Sequence, residues 1–225
     1  MQFPKAWLQG VSLGEYIACE LRLQIINETI PRGEILSENR IAGEFGASRS
    51  PVREALRTLS TEGLIRLERM GAVVLGLNLQ EVEELYDVRY LIESFAQSRL
   101  AGQQQESLLS RLEQSIDKMK LAVKYGDVVE FALQDFTFHE SIILEAHHTR
   151  ILHLWNSIRQ MVMTVMLITN QRSFQAGAEH MNWVAEKHHT IVQALRSGDA
   201  EVIRRTVETY FADSAETLVR SLPHS

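Results

Sequence analysis

Ala47-Ser48-Arg49-Ser50-Pro51-Val52-Arg53-Glu54-Ala55-Leu56-Arg57-Thr58-Leu59 is the stretch whose reading decides the fold. Ser50 followed by Pro51 signals a helix start, because a serine hydroxyl accepts a freed backbone N–H and proline at the first helical position loses no needed donor. Val52, Ala55, Leu56 and Leu59 recur at three- and four-residue spacing and form one apolar stripe. Arg49, Arg53 and Arg57 are left to point elsewhere. Beside the hydroxyls of Ser48 and Ser50, these arginines form a positive ridge suited to phosphate oxygens and guanine edges in a DNA major groove. An isolated basic stripe is more often a solvated helix face, so its neighbours must decide.

Upstream, Gly14 to Asn27 reads as a helix with Ile17, Leu21 and Ile25 inward, Pro31-Arg32-Gly33 as a turn, and Ser37 to Phe45 as a short second helix ended by Gly46. Downstream, Glu62-Gly63 stops the arginine helix. Leu64-Ile65-Arg66-Leu67, then Glu68-Arg69-Met70-Gly71, then Ala72-Val73-Val74-Leu75 read as strand, turn, strand. Helix, short helix, helix and hairpin make a winged helix-turn-helix, with Arg69 and Gly71 on the wing.

Leu36-Ser37-Glu38-Asn39-Arg40-Ile41-Ala42, Ser48 to Leu56, and Glu62-Gly63-Leu64-Ile65 closely resemble the N-terminal domain of GntR-family transcription regulators. The resemblance covers roughly residues 10–77. It implies DNA contacts at Ser48, Arg49, Ser50, Arg53 and the wing near Gly71. Asn39 stands where the fatty-acid-responsive relatives carry a base-reading arginine, so the operator sequence is expected to differ.

Composition fits a two-part chain, read as residues 1–77 and 78–225. The 225 residues are 45% hydrophobic, enough for two cores. The net charge of -6 is unevenly divided: residues 79–225 hold fourteen Lys/Arg against twenty Asp/Glu, whereas residues 48–70 hold five arginines against three glutamates. Local clustering matters more for nucleic acid than the total. Cys19, the single cysteine, excludes an internal disulfide and fits a reducing cytoplasm. No secretory leader or bilayer-spanning run is evident, and Met161 to Ile168 reads as a buried helix segment.

Beyond Gly76-Leu77 the sequence has almost no strand character. Asn78-Leu79-Gln80-Glu81 and Asp127-Val128-Val129-Glu130 both read as capping boxes. Six helices are expected, over about 79–100, 105–124, 127–145, 149–171, 178–196 and 199–221. With short loops and no proline between Pro51 and Pro223, they make an antiparallel bundle, and the chain as a whole is mainly α.

Asp135 and His139, at i and i+4 among Phe131, Phe136 and Phe138, can face one point. They could share a metal or simply a hydrogen bond. His188 lies ten residues before Gly198 and Tyr210 twelve after it. In an antiparallel hairpin both stand about 15 Å from the turn, at about 1.5 Å per residue. Asp135 reaches a similar depth from Gly126, so all can meet at mid-bundle.

Tyr86-Asp87-Val88-Arg89 with Ile92-Glu93, Asp135 to His139, and His188 to Leu195 with Gly198-Asp199 look like the FCD effector domain of the FadR subfamily, over about residues 79–222. That resemblance implies a divalent metal, zinc or nickel, held by an Asp and three His beside a cavity for a carboxylate metabolite. Asp135, His139 and His188 match three ligands. The fourth place falls on Tyr210, a poor ligand because its phenol must lose a proton of pKa about 10. The metal is then held by three groups with open positions, held weakly, or absent, and a bound metal is the expectation.

Arg89, near an apolar stripe of Leu85, Val88, Ile92 and Phe95, needs an anion if buried, supplied by Glu93 or by an effector. The resemblance favours the effector and implies an effector-contacting role for Arg89. Asn170 and Arg172 are rim candidates. Other histidines read as surface or loop residues, and Trp155 and Trp183 as core. Residues 66–74 and 84–89 are similar to the gluconate-type members of the family, which implies a sugar acid such as gluconate. The residues alone support a small hydroxy acid or other carboxylate. The mechanism expected is a homodimer on a two-fold symmetric double-stranded operator, with no membrane partner, released by its effector. Two His and one carboxylate also describe mononuclear iron oxygenases, but no general base accompanies them here.

Overall fold

The computed structural model describes residues 2–8, 10–69, 71–103 and 105–221. Its contacts divide the chain into two compact units, residues 1–78 and 79–225. The first holds α1 (Leu13–Ile26), β1 (Ile35–Leu36), α2 (Glu38–Phe45), α3 (Arg49–Thr61), β2 (Ile65–Glu68) and β3 (Gly71–Val74). Ile17, Leu21 and Ile25 of α1 are buried against α3, whose Val52, Ala55, Leu56 and Leu59 form the inner stripe. Burying each such aliphatic side chain contributes roughly 1.5–3 kcal/mol. The arginines are thereby turned outward.

Two local expectations are corrected. Helix α3 begins at Arg49 with Ser48 as its N-cap residue, so Ser50 and Pro51 lie inside the first turn and Ser50 does not cap it. Proline is harmless there, since the first turn of N–H groups has no helical acceptor. The wing is also more than a hairpin. β1 pairs antiparallel with β3 (Ile35 with Val73, Leu36 with Ala72), and β3 pairs with β2, giving the order β1-β3-β2. A two-residue strand leaves too little alternation to read from sequence. Gly71 has φ +145°, and a Cβ there would meet the Leu36 carbonyl oxygen at 2.7 Å, so glycine is required where β3 enters the sheet. Met70 of the expected turn lies outside the described residues.

The second unit is a six-helix bundle: α4 (Leu79–Arg99), α5 (Glu106–Tyr125), α6 (Val128–Glu145), α7 (Thr149–Ser173), α8 (Ala178–Ser197) and α9 (Ala200–Ser221). Helix α5 packs on α6 and α8, α6 on α7, and α4 on α9. At the start of α6, Asp127 accepts the Glu130 N–H at 2.9 Å. The reciprocal half of that capping box is absent, because the Asp127 N–H already binds the Ala122 carbonyl. By length and hydropathy Thr149–Ala176 could cross a bilayer, contrary to expectation. Half of its apolar window is buried in the bundle, and Met161 to Ile168 is buried throughout, which is how a core helix passes that test.

Candidate DNA-reading face and effector site

In the first unit a cleft of about 620 Å³ is lined by Asn39 of α2, Arg49, Arg53 and Arg57 of α3, and Arg69 and Gly71 of the wing. Ser48 and Ser50 lie exposed at the tip of α3. Arg49, Arg57 and Arg69 make no ion pair among the described residues. Arg53 differs: its Nε is 3.0 Å from Glu38 Oε2. Both partners of that pair are solvent-accessible, where an ion pair is worth about 0–1 kcal/mol, so phosphate can compete for the guanidinium. The concave cationic surface suits phosphate and base-edge contacts.

In the second unit, α6, α8 and α9 bring Asp135, His139, His188 and Tyr210 together, all buried. One ligand atom from each of Asp135, His139 and His188 lies within 4.8 Å of the others. The partners fix the tautomers. His188 Nδ1–H donates to the Val184 carbonyl at 2.9 Å, and His139 Nδ1–H donates to Glu93 Oε2 at 2.6 Å. The two Nε2 lone pairs therefore point inward with the Asp135 carboxylate, His188 Nε2 at 3.0 Å and His139 Nε2 at 3.7 Å from Oδ1. The only hydroxyl proton between them belongs to Tyr210, 2.9 Å from His188 Nε2 and 3.1 Å from His139 Nε2. Three acceptors converge with too few protons, a deficit that a divalent cation or a proton on an imidazole fills. The donor set fits a metal, with Glu93 and the Val184 carbonyl orienting the two rings. No other such cluster occurs among the described residues.

Electrostatics follow from burial and these contacts. Burial alone would raise Asp135, but the His188 contact, the His139 imidazole beside it and the Asn170 amide (Nδ2 to Oδ2, 2.8 Å) hold it well below the usual carboxylate range. Burial and the negative Asp135 push the Tyr210 phenol well above its ordinary value, so it donates as a neutral hydroxyl. Burial also lowers His139, with Glu93 opposing.

Arg89 is 3% exposed, and its Nε donates to Glu93 Oε1 at 2.6 Å. Its guanidinium carbon lies 5.3 Å from both the Tyr86 and Phe211 ring centroids. Nη2 has no acceptor among the described residues. Glu93 and a ligand are thus compatible partners: one edge of the guanidinium is fixed while the other stays open. Arg89, Asp135, His139, Asn170 and Tyr210 border one cavity of about 80 Å³.

Several expectations change. Val88 and Phe95 are exposed, and the inner face of α4 carries Val82, Tyr86, Arg89, Glu93 and Gln97 instead. Arg89 pairs with Glu93 along α4 and Glu93 reaches across to His139 of α6, whereas neither amide atom of the buried Gln97 has a partner among the described residues. Asn170 is an interior residue holding Asp135, and Arg172 does not border the cavity. Trp155 is core, but Trp183 is 52% exposed at the cavity edge. His148 has a local task, accepting the Ile151 N–H at the start of α7. Sequence reasoning missed Lys187 and Trp183. Their i, i+4 spacing beside His188 was the available signal.

The profile described as "Bacterial regulatory proteins, gntR family" matches residues 13–75, and that of the FCD domain matches residues 84–213. The chain is 38% identical to the gluconate operon transcriptional repressor of Bacillus licheniformis over 94% of its own length and 87% of that protein. It is 39% identical to the repressor of the same name from Bacillus subtilis (strain 168), with the same coverage. The solved structure of E. coli McbR/YncC shares the fold, with a TM-score of 0.71 at 19% identity over 93% of this chain and 98% of that one.

Proposed function

The chain belongs to the GntR family of bacterial regulatory proteins and carries an FCD domain, and from that premise we propose that it represses a sugar-acid catabolic operon, with gluconate or a close relative as effector. Its relatives are transcription regulators rather than enzymes; the chain is a DNA-binding regulator whose second domain takes a small-molecule effector. The observation that carries the finer reading is the buried Arg89, whose Nη2 has no partner among the described residues and which lines a cavity together with Asp135 and His139. A sugar-acid carboxylate satisfies that N–H, and its hydroxyls match the polar wall.

In this reading a homodimer in the cytoplasm presents two copies of α3 to a two-fold symmetric operator, with Ser48, Arg49, Ser50, Arg53, Arg57, Arg69, Asn39 and the Gly71 backbone on the reading face. Asp135, His139 and His188 would hold zinc or nickel, whose positive charge would supply Lewis acidity toward an effector oxygen. Tyr210 orders the two imidazoles by hydrogen bonding, Glu93 fixes His139 and Arg89 together, and Asn170 fixes Asp135. Effector binding favours the DNA-incompetent arrangement only through its higher affinity for that state. A gel shift of the operator upstream of the chain's own neighbouring genes, titrated with gluconate, tests the reading. Release by gluconate in the wild type but not in Arg89→Gln supports it; retention of DNA at saturating gluconate, other sugar acids included, overturns it.

A further inference from the structure

Besides Arg89, Asp135 and His139, the effector cavity is lined by a second set of side chains. Trp183 and Lys187, one turn apart on α8, both border the cavity, with Thr169 and Ser173 of α7 and Ser214 of α9. Trp183 is 52% exposed, an unusual state for indole that no core packing explains. Lys187 Nζ is anchored by the Tyr210 carbonyl at 3.0 Å and the Asp213 carboxylate at 3.4 Å, and lies 4.5 Å from the Tyr210 ring centroid and 5.8 Å from that of Trp183. The hydroxyls of Thr169 and Ser214 already donate to the Met166 and Tyr210 carbonyls, at 3.1 and 2.7 Å. The Thr169 oxygen therefore meets the cavity as an acceptor, whereas the Ser214 oxygen also receives Lys187 Nζ at 3.5 Å, and Lys187 stands in the wall as a fixed cation.

We infer that Trp183, Lys187, Thr169, Ser173 and Ser214 form a polyol subsite, which makes the cavity select polyhydroxylated acids over carboxylates of equal length with an apolar tail. The chemistry follows from the groups present. A polyol chain offers alternating hydroxyls, each both donor and acceptor, and a C–H face that packs on an aromatic ring. An alkyl tail would leave the Thr169 and Ser173 hydroxyls that border the cavity without partners and would set an apolar chain beside the Lys187 cation, and such pairing failures discriminate far more strongly than shape alone. The inference rests on the carboxylate end lying at Arg89, as proposed above, and adds what reads the rest of the molecule.

The test is calorimetric titration of the purified full-length protein with gluconate and with 2-hydroxyhexanoate, which has the same carbon count and the same carboxylate and 2-hydroxyl. Wild type is expected to favour gluconate by about tenfold or more, and Trp183→Ala and Lys187→Met each to bring that ratio to within about twofold. Trp183→Phe, which keeps an aromatic face, is expected to restore most of it. Circular dichroism establishes that the variants are folded. A wild-type ratio near one, or a ratio unchanged in both variants, overturns the polyol subsite. If Arg89→Gln still abolishes binding of both acids in that case, the effector-site reading survives alone. If the wild type binds neither acid, both fall together.

Discussion

The Tyr210 hydroxyl stands 2.9 Å from His188 Nε2, and the same oxygen is 3.1 Å from His139 Nε2, so its single proton is contested by two imidazoles. This residue takes the place of a third histidine in the resemblance that the sequence carries. It supplies a neutral donor where a ligand lone pair would otherwise point.

Tyr210→His is therefore expected to tighten divalent-metal binding by about tenfold or more, by adding a third nitrogen donor and a fourth ligand at the convergence point. Tyr210→Phe removes the hydroxyl with its contested proton, adds no ligand, and is expected to retain metal. Competition with a chromophoric chelator reads both. Weaker zinc binding by Tyr210→His would show that the hydroxyl's place is not a ligand position.

Glu93 is the single acceptor joining Arg89 to His139, 2.6 Å from each. Glu93→Ala strands a buried guanidinium and frees the His139 ring at once. The expected loss is about 3–5 kcal/mol of effector-domain stability in urea unfolding, the range for breaking a buried ion pair. A loss under about 1 kcal/mol, the surface-pair range, would mean that Arg89 finds another anion.

Acid should unfold the effector domain in two stages. Burial lowers His139 in the folded state, so its contribution is present above the unfolded histidine value, about 6.5, and is lost as pH falls toward the folded value. Asp135 and Glu93 are also lowered when folded, despite burial, by contacts with the neighbouring imidazoles, by the Asn170 amide and by the Arg89 cation beside Glu93. Their contribution is present above the unfolded carboxylate range, about 4, and declines below it. Urea midpoints of chelator-treated protein should fall from pH 7 to pH 5 and further toward pH 3. A midpoint higher at pH 5 than at pH 7 would contradict this sign.

Arg49→Ala and Arg57→Ala each remove an unpaired cation from the reading cleft. Operator affinity should weaken by about 1–3 kcal/mol where the side chain reads a base, or the salt slope should drop by about one where it holds a phosphate. Circular dichroism should be unaltered, because both residues lie on the exposed face of α3. Gel shifts with unchanged affinity and salt slope in both variants would remove the reading face.

Much of the architecture was legible because it is written locally. The apolar period of α3, the Gly46 and Gly126 stops and the Asp127 cap each act over a few residues. The third strand was not, since two residues of β1 mean nothing until β3 lies beside them. Asp135 and His139 could be paired from their spacing, and His188 and Tyr210 from helix depth. The inner face of α4 was misjudged because polar Arg89, Glu93 and Gln97 took positions that periodicity gave to Val88 and Phe95.

By itself the sequence determined a winged reading head with outward arginines followed by a helical bundle, since helix periodicity, caps and breaks are short-range properties of the chain. Only the tertiary structure decided which imidazole nitrogens face inward, that Glu93 serves Arg89 and His139 together, and that Trp183 stands at the cavity rim. Those outcomes depend on side chains from helices far apart in sequence, and only packing sets their distances and the protons left to share.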